Sequence, residues 1–106
     1  MENLIELREA LRKFAAERDW PQYHTPKNLA MALIVEAAEL VEHFQWMTPE
    51  QSMSLSDAQH VAVREEVADT LIYLVELADV LGIDLIAAAR DKMVKNEVKY
   101  PVIQKR

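Results

Sequence analysis

The sequence predicts an all-α fold of four substantial helices and one short one. Three observations carry that expectation. Apolar residues recur at i, i+3 and i+4 over four separate segments. No stretch alternates apolar and polar residues as a half-buried strand does. One Gly and four Pro in 106 residues supply too few breakers for a turn-rich β architecture.

Each element follows from local signals. Residues 3–18 carry Leu4, Leu7, Leu11 and Phe14 at helical spacing, with Asn3 placed to cap them. Residues 19–27 break the pattern and hold Trp20, Tyr23 and His24. Large amphipathic side chains on so short a loop either line a pocket or plug the core, and plugging is the expected fate. Thr25 with Pro26 at the first helical position opens a second helix that runs to about Gln45. Thr48 and Gln51 have capping-box spacing, so 48–53 reads as a short helical turn. Ser56-Asp57 starts a long helix that ends at Leu81, with Gly82 as the residue after its cap. Asp84 caps a last helix, Leu85 to about Lys99, which Pro101 stops. There is no internal repeat, and residues 1–106 read as one domain. At 12.2 kDa such a domain is expected to bury roughly two-thirds of its unfolded surface.

Composition excludes several function classes. The chain has no Cys, which removes disulfides, Cys-ligated zinc and thiol catalysis. A net charge of −6 argues against a nucleic-acid partner, because backbone binders carry a basic excess. No run of 18 apolar residues spans a membrane, and the amphipathic start is not a secretory leader, so a soluble cytoplasmic setting is expected. The charge is unevenly spread. Residues 1–89 hold six Lys/Arg against sixteen Asp/Glu, net −10, whereas residues 90–106 hold six against two, net +4. That asymmetry suits a cation site beside an anion site, or a solvated basic helix end that complements the helix dipole.

The acidic residues then separate into two kinds. Glu2, Glu6, Glu9, Glu17, Glu42, Glu65 and Glu76 fit a solvated face. Glu36 and Glu39 do not. Eleven of the thirteen residues from Leu29 to Val41 are apolar, and these two are the exceptions. Glu36 falls in the stripe Leu29, Leu33, Glu36, Leu40, Phe44, where a core residue belongs, with Glu39 one turn on. On the long helix, Glu66 and Asp69 stand one turn apart in the track Ala62, Glu66, Asp69, Tyr73, Leu77, beside the apolar track Val63, Val67, Leu71, Leu74, Ala78. Converging carboxylates must be protonated or paired. Few Lys or Arg are at hand, and a hard divalent metal with oxygen ligands satisfies all four. A di-iron carboxylate site needs Glu three residues before a ligating His; Leu40 and Asp57 precede His43 and His60 instead. The all-oxygen set favours Mg²⁺, with Mn²⁺ a substitute.

Glu36-Ala-Ala-Glu39 followed by Glu65-Glu66-Val-Ala-Asp69 resembles the ExxE…ExxD signature of the all-α nucleoside triphosphate pyrophosphohydrolases, the MazG-like family. The segments Glu17–Trp20, His24–Leu29, Glu39–Trp46, Asp69–Leu74 and Lys92–Pro101 look like its dCTP pyrophosphatase-like branch, so the resemblance covers nearly the whole chain. It departs from that branch at Lys27, where some relatives carry Arg, and in a less basic Asn96-Glu-Val-Lys99. The resemblance implies a bundle-like MazG fold that assembles as a dimer or tetramer whose subunits complete one another's sites. It implies hydrolysis of a (deoxy)nucleoside triphosphate, dCTP or a related dNTP, to the monophosphate and pyrophosphate. Glu36, Glu39, Glu66 and Asp69 would hold Mg²⁺ and carry catalysis, with Glu39 favoured as general base. His24, Asn28, Trp46 and Tyr73 would line the nucleotide pocket, and Lys92 and Asn96 would contact the phosphates. The alternative of another class is a non-catalytic helical interaction protein that retains the bundle.

Overall fold

The structure, a computed structural model, describes residues 1–103. It contains α1 (Leu4–Ala16), a single 3₁₀ turn (Pro21–Tyr23), α2 (Pro26–Glu42), α3 (Pro49–Ser52), α4 (Asp57–Val80) and α5 (Leu85–Lys99), with no strand among the described residues. The all-α expectation and the order of its elements are borne out. The caps form as the sequence implies. The side chains of Asn3, Thr25 and Asp84 accept from the backbone N–H groups of Glu6, Asn28 and Ala87. Thr48 and Gln51 make a reciprocal capping box, and Ser56 with Gln59 makes a second at the start of α4.

Two helix ends share one motif. Gly82 sits at φ +66°, its N–H donating to Asp79 O and that of Ile83 to Ala78 O at 2.8 Å. This Schellman closure ends α4. After α1, Asp19 takes the left-handed conformation at φ 56°, and the N–H of Trp20 donates to Ala15 O. The turn folds Trp20 back, edge-on to Phe14 at 5.6 Å. Trp20 and Tyr23 therefore remain exposed instead of plugging the core, and of the three loop residues only His24 is half-buried. The second helix stops at Glu42, three residues before the expected Gln45, because the chain tightens into turns from His43 onward.

The core is small. Ala15, Leu29, Val75 and Ala78 are its buried residues. α2 packs along α4, α1 crosses α4, and α5 has no comparable seam with any other helix. The accessible surface is 8819 Å², against about 6,100 Å² for a compact monomer of this mass. The radius of gyration is 17.3 Å, against roughly 13 Å for a compact chain of this length. Folding thus buries about half of the unfolded surface, not the two-thirds expected, because α5 extends away from the other helices. The apolar track of α4 tells the same story. Val67, Leu71 and Leu74 are exposed and only the ends of that track, Val63 and Ala78, turn in, while the acid-bearing track of Ala62, Glu66, Tyr73 and Leu77 is half-buried, Asp69 excepted.

Candidate metal centre and adjoining cavity

The seam between α2 and α4 places the acidic pairs opposite one another. Glu36 and Glu39 come from α2 and Glu66 from α4, and one carboxylate oxygen of each lies within 4.8 Å of the other two. All three side chains are half-buried. Oε2 of Glu36 and Oε2 of Glu66 are out of contact with solvent and have no hydrogen-bond partner. An orphaned buried acceptor costs on the order of 1–3 kcal/mol, so two of them in one carboxylate cluster mark a place for a cation or a proton. In the bare chain a proton partly fills that place. Burial, helped by the close carboxylates of Glu66 and Glu39 and by the negative charge of Asp69, pushes the Glu36 carboxyl up to about 7. The donors are all carboxylate oxygens, and no His or Cys joins them among the described residues. Such a set suits a hard divalent cation.

Asp69 stands one turn beyond Glu66 on α4 and is exposed, outside the converging three, yet its charge reaches Glu36. Tyr73 is half-buried on the same face. Its phenol is pushed up by burial and then by the charges of Glu36, Glu76 and Asp69, which places it between the acid cluster and Glu76.

The remaining sequence-derived candidates are scattered. The Asn28 amide donates to Tyr23 O at 2.9 Å, holding the 3₁₀ turn against the start of α2. Trp46 lies past the end of α2 and is 88% exposed. Lys92 is exposed and Asn96 half-buried on α5, which does not pack along the α2–α4 seam. His24 lines a cavity of about 180 Å³ between α1, the 3₁₀ turn and α4, together with Glu76. Glu76 was expected on a solvated face and is instead half-buried. Its position seven residues, two helical turns, after the exposed Asp69 gave no sign of that burial.

Comparison with known proteins supplies independent findings. The model of the MazG-like family matches residues 31–106. The dCTP pyrophosphatase 1 of Bos taurus is 45% identical over 101 residues, covering 93% of this chain and 60% of that protein. That of Homo sapiens is 44% identical over 100 residues, covering 92% and 59%. The chain thus spans about three-fifths of the length of these curated relatives. A crystal structure of a pyrophosphatase from Archaeoglobus fulgidus superposes with a TM-score of 0.89 at 45% identity, covering 96% of this chain and 95% of that one.

Proposed function

Because the chain belongs to the MazG-like family, we propose that it is a divalent-metal-dependent nucleoside triphosphate pyrophosphohydrolase. Its substrate is dCTP or a related dNTP, and its products are the monophosphate and pyrophosphate. The observation that carries this reading is the cluster of Glu36, Glu39 and Glu66 at the α2–α4 seam, in which Glu36 Oε2 and Glu66 Oε2 are buried without a hydrogen-bond partner. The relatives named dCTP pyrophosphatase support the choice of substrate.

The acid cluster fits a hard cation, and Glu36, Glu39, Glu66 and Asp69 would hold Mg²⁺, with Mn²⁺ as a substitute. A divalent ion held there would supply charge neutralisation for the triphosphate and polarisation of its α-phosphoryl group. Glu39 takes the proton of the attacking water as general base. Tyr73 stands beside the cluster as one wall of the nucleotide site, and His24 and Asn28 border its far end. Trp46 stacks on the nucleotide once a neighbouring copy covers it.

Lys92 and Asn96 lie at i and i+4 on α5, so they present one cation and one amide to the same point. We place that point in the acid site of a second copy of the chain. The isolated chain exposes about 2,700 Å² more than a compact monomer of its mass. Over two copies that excess is about 5,400 Å², at the upper end of what obligate oligomers bury. The assembly is a homodimer or homotetramer, residues 1–106 act as one catalytic unit, and the setting is cytoplasmic. Among the described residues no helix is long and apolar enough to cross a membrane.

A panel of dNTPs with Mg²⁺, scored for pyrophosphate release, tests the reading. The wild type is expected to release pyrophosphate, and Glu66→Gln is expected to lose that activity while keeping its helical circular dichroism. Nucleotide binding without turnover in the wild type would favour the non-catalytic alternative.

A further inference from the structure

We propose that Glu76 reads the base: its carboxylate accepts a hydrogen bond from the exocyclic 4-amino group of a pyrimidine seated in the cavity between α1, the 3₁₀ turn and α4. This inference rests on the pyrophosphohydrolase reading and adds to it a residue that selects the substrate.

The cavity has the size and lining for one ring. At about 180 Å³ it compares with the roughly 150 Å³ apolar cavity that accepts a benzene ring. A single pyrimidine ring therefore fits. Leu11, Ala15, Pro21 and Val75 supply apolar walls, and His24 and Glu76 supply polar groups. Two arginines also border the space, but both are engaged. Arg8 pairs with Glu9 at 2.8 Å. Arg12 donates to both carboxylate oxygens of Asp79, at 2.8 Å from Nε, and also pairs with Glu9.

Glu76 is the acceptor left over. It is half-buried, and among the described residues no hydrogen bond or ion pair engages it. Burial pushes its carboxyl up, and the nearby His24 pulls it back down, so the two face the same space. An acceptor in that position favours a ligand that brings a donor. A 4-amino pyrimidine offers N–H there. A 4-oxo pyrimidine sets a carbonyl oxygen against the carboxylate, an acceptor against an acceptor.

The cavity is also correctly placed. Asp69 and Glu76 are seven residues apart on α4, so Glu76 stands about 10.5 Å further along nearly the same edge of the helix. Tyr73 lies between them and feels the charges of Glu36, Glu76 and Asp69. Glu66, Asp69, Tyr73 and Glu76 follow one another at helical spacing along one side of α4. A nucleotide whose α-phosphate meets the cluster can lay its base against Glu76.

Two measurements test the assignment. The first is kcat/KM with Mg²⁺ for dCTP, dUTP and CTP, in the wild type, Glu76→Gln and the charge-matched Glu50→Gln on α3. The wild type and Glu50→Gln are expected to favour dCTP over dUTP by about tenfold or more. Glu76→Gln, whose amide both donates and accepts, is expected to bring the two within a few-fold while still releasing pyrophosphate. If Glu76→Gln does not fold, Glu76→Ala carries the same comparison. The second measurement is calorimetric titration with deoxycytidine and deoxyuridine, which needs neither metal nor phosphate; Glu76→Gln is expected to lose the preference there too. An unchanged dCTP/dUTP ratio in the variant, or none in the wild type, overturns the proposal and leaves the pyrophosphohydrolase reading standing. A change confined to dCTP against CTP would assign Glu76 to the sugar and also overturn it. Absence of turnover with every dNTP would overturn the reading itself, and the nucleoside titration would still decide the role of Glu76.

Discussion

Along the α2–α4 seam Leu29 is 1% exposed and three carboxylates face one another, whereas α5 buries no residue at all. Both helices of the seam carry apolar stripes wide enough to pack, and that packing brings charges together that electrostatics alone would separate. α5 has a mixed sequence, Lys and Arg among Ala, Ile, Met and Val, and no seam with another helix comparable to that of α2 with α4. The contrast separates two tasks. On the proposed reading, the acid half of the site is assembled by one chain, and the basic half, Lys92 and Asn96, would serve another.

The largest expected effects come from the seam. Glu36→Gln and Glu66→Gln should each lower turnover by about a thousandfold, roughly 4 kcal/mol, as befits loss of a ligand whose ion stabilises transition-state charge. Asp69→Asn should cost less than either, since Asp69 stands outside the converging three. Equal and small losses from all of these would remove the distinction between seam and surface.

Next in size is the arm. Lys92→Ala should weaken kcat/KM by about 1–3 kcal/mol, the size of a charge-assisted hydrogen bond. Lys13→Ala, which removes the same charge from an exposed site on α1, should change little. Mixing sharpens the comparison further. If α5 serves a second copy, co-refolded Glu36→Gln and Lys92→Ala chains should regain activity that neither has alone, because some mixed sites have both halves intact. No recovery on mixing would return Lys92 to its own chain's site.

The smallest effect concerns the metal-free protein. The Glu36 carboxyl titrates at about 7 in the fold, above its ordinary unfolded value. The folded state therefore binds the extra proton, and stability is gained as pH falls through 7 and lost as pH rises through it. The Tm of metal-free protein should rise between pH 8 and pH 6, and Glu36→Gln should flatten that slope. A Tm that instead rises with pH over this range would contradict the assignment.

The sequence was informative where local rules act. Helix starts were legible because Asn3, Thr25, Thr48, Ser56 and Asp84 each cap through their own side chains. The ends were legible where Gly82 supplies a left-handed residue, and less so after Glu42, where no Gly or Pro marks the stop. The acid pairs stood out because Glu36 interrupts an apolar stripe, and three of the four candidate ligands converge. Which track of α4 turns inward was not legible. Val67 and Leu71 are as apolar as a core demands, and what exposes them is the absence of a covering surface within the chain. Glu76 escaped notice for a related reason: its burial is set by α1 and the 3₁₀ turn crossing over it, a contact between segments far apart in sequence.

The central claim is that the carboxylates of the α2–α4 seam direct water at the α-phosphorus of a nucleoside triphosphate. Phosphorus NMR of dCTP turned over with Mg²⁺ in ¹⁸O-enriched water tests it most directly. The expected result is pyrophosphate and dCMP, with the isotope shift of solvent oxygen on dCMP alone, and no reaction by Glu66→Gln. Orthophosphate with dCDP, or the heavy oxygen in pyrophosphate, would place the attack at another phosphorus and contradict the account.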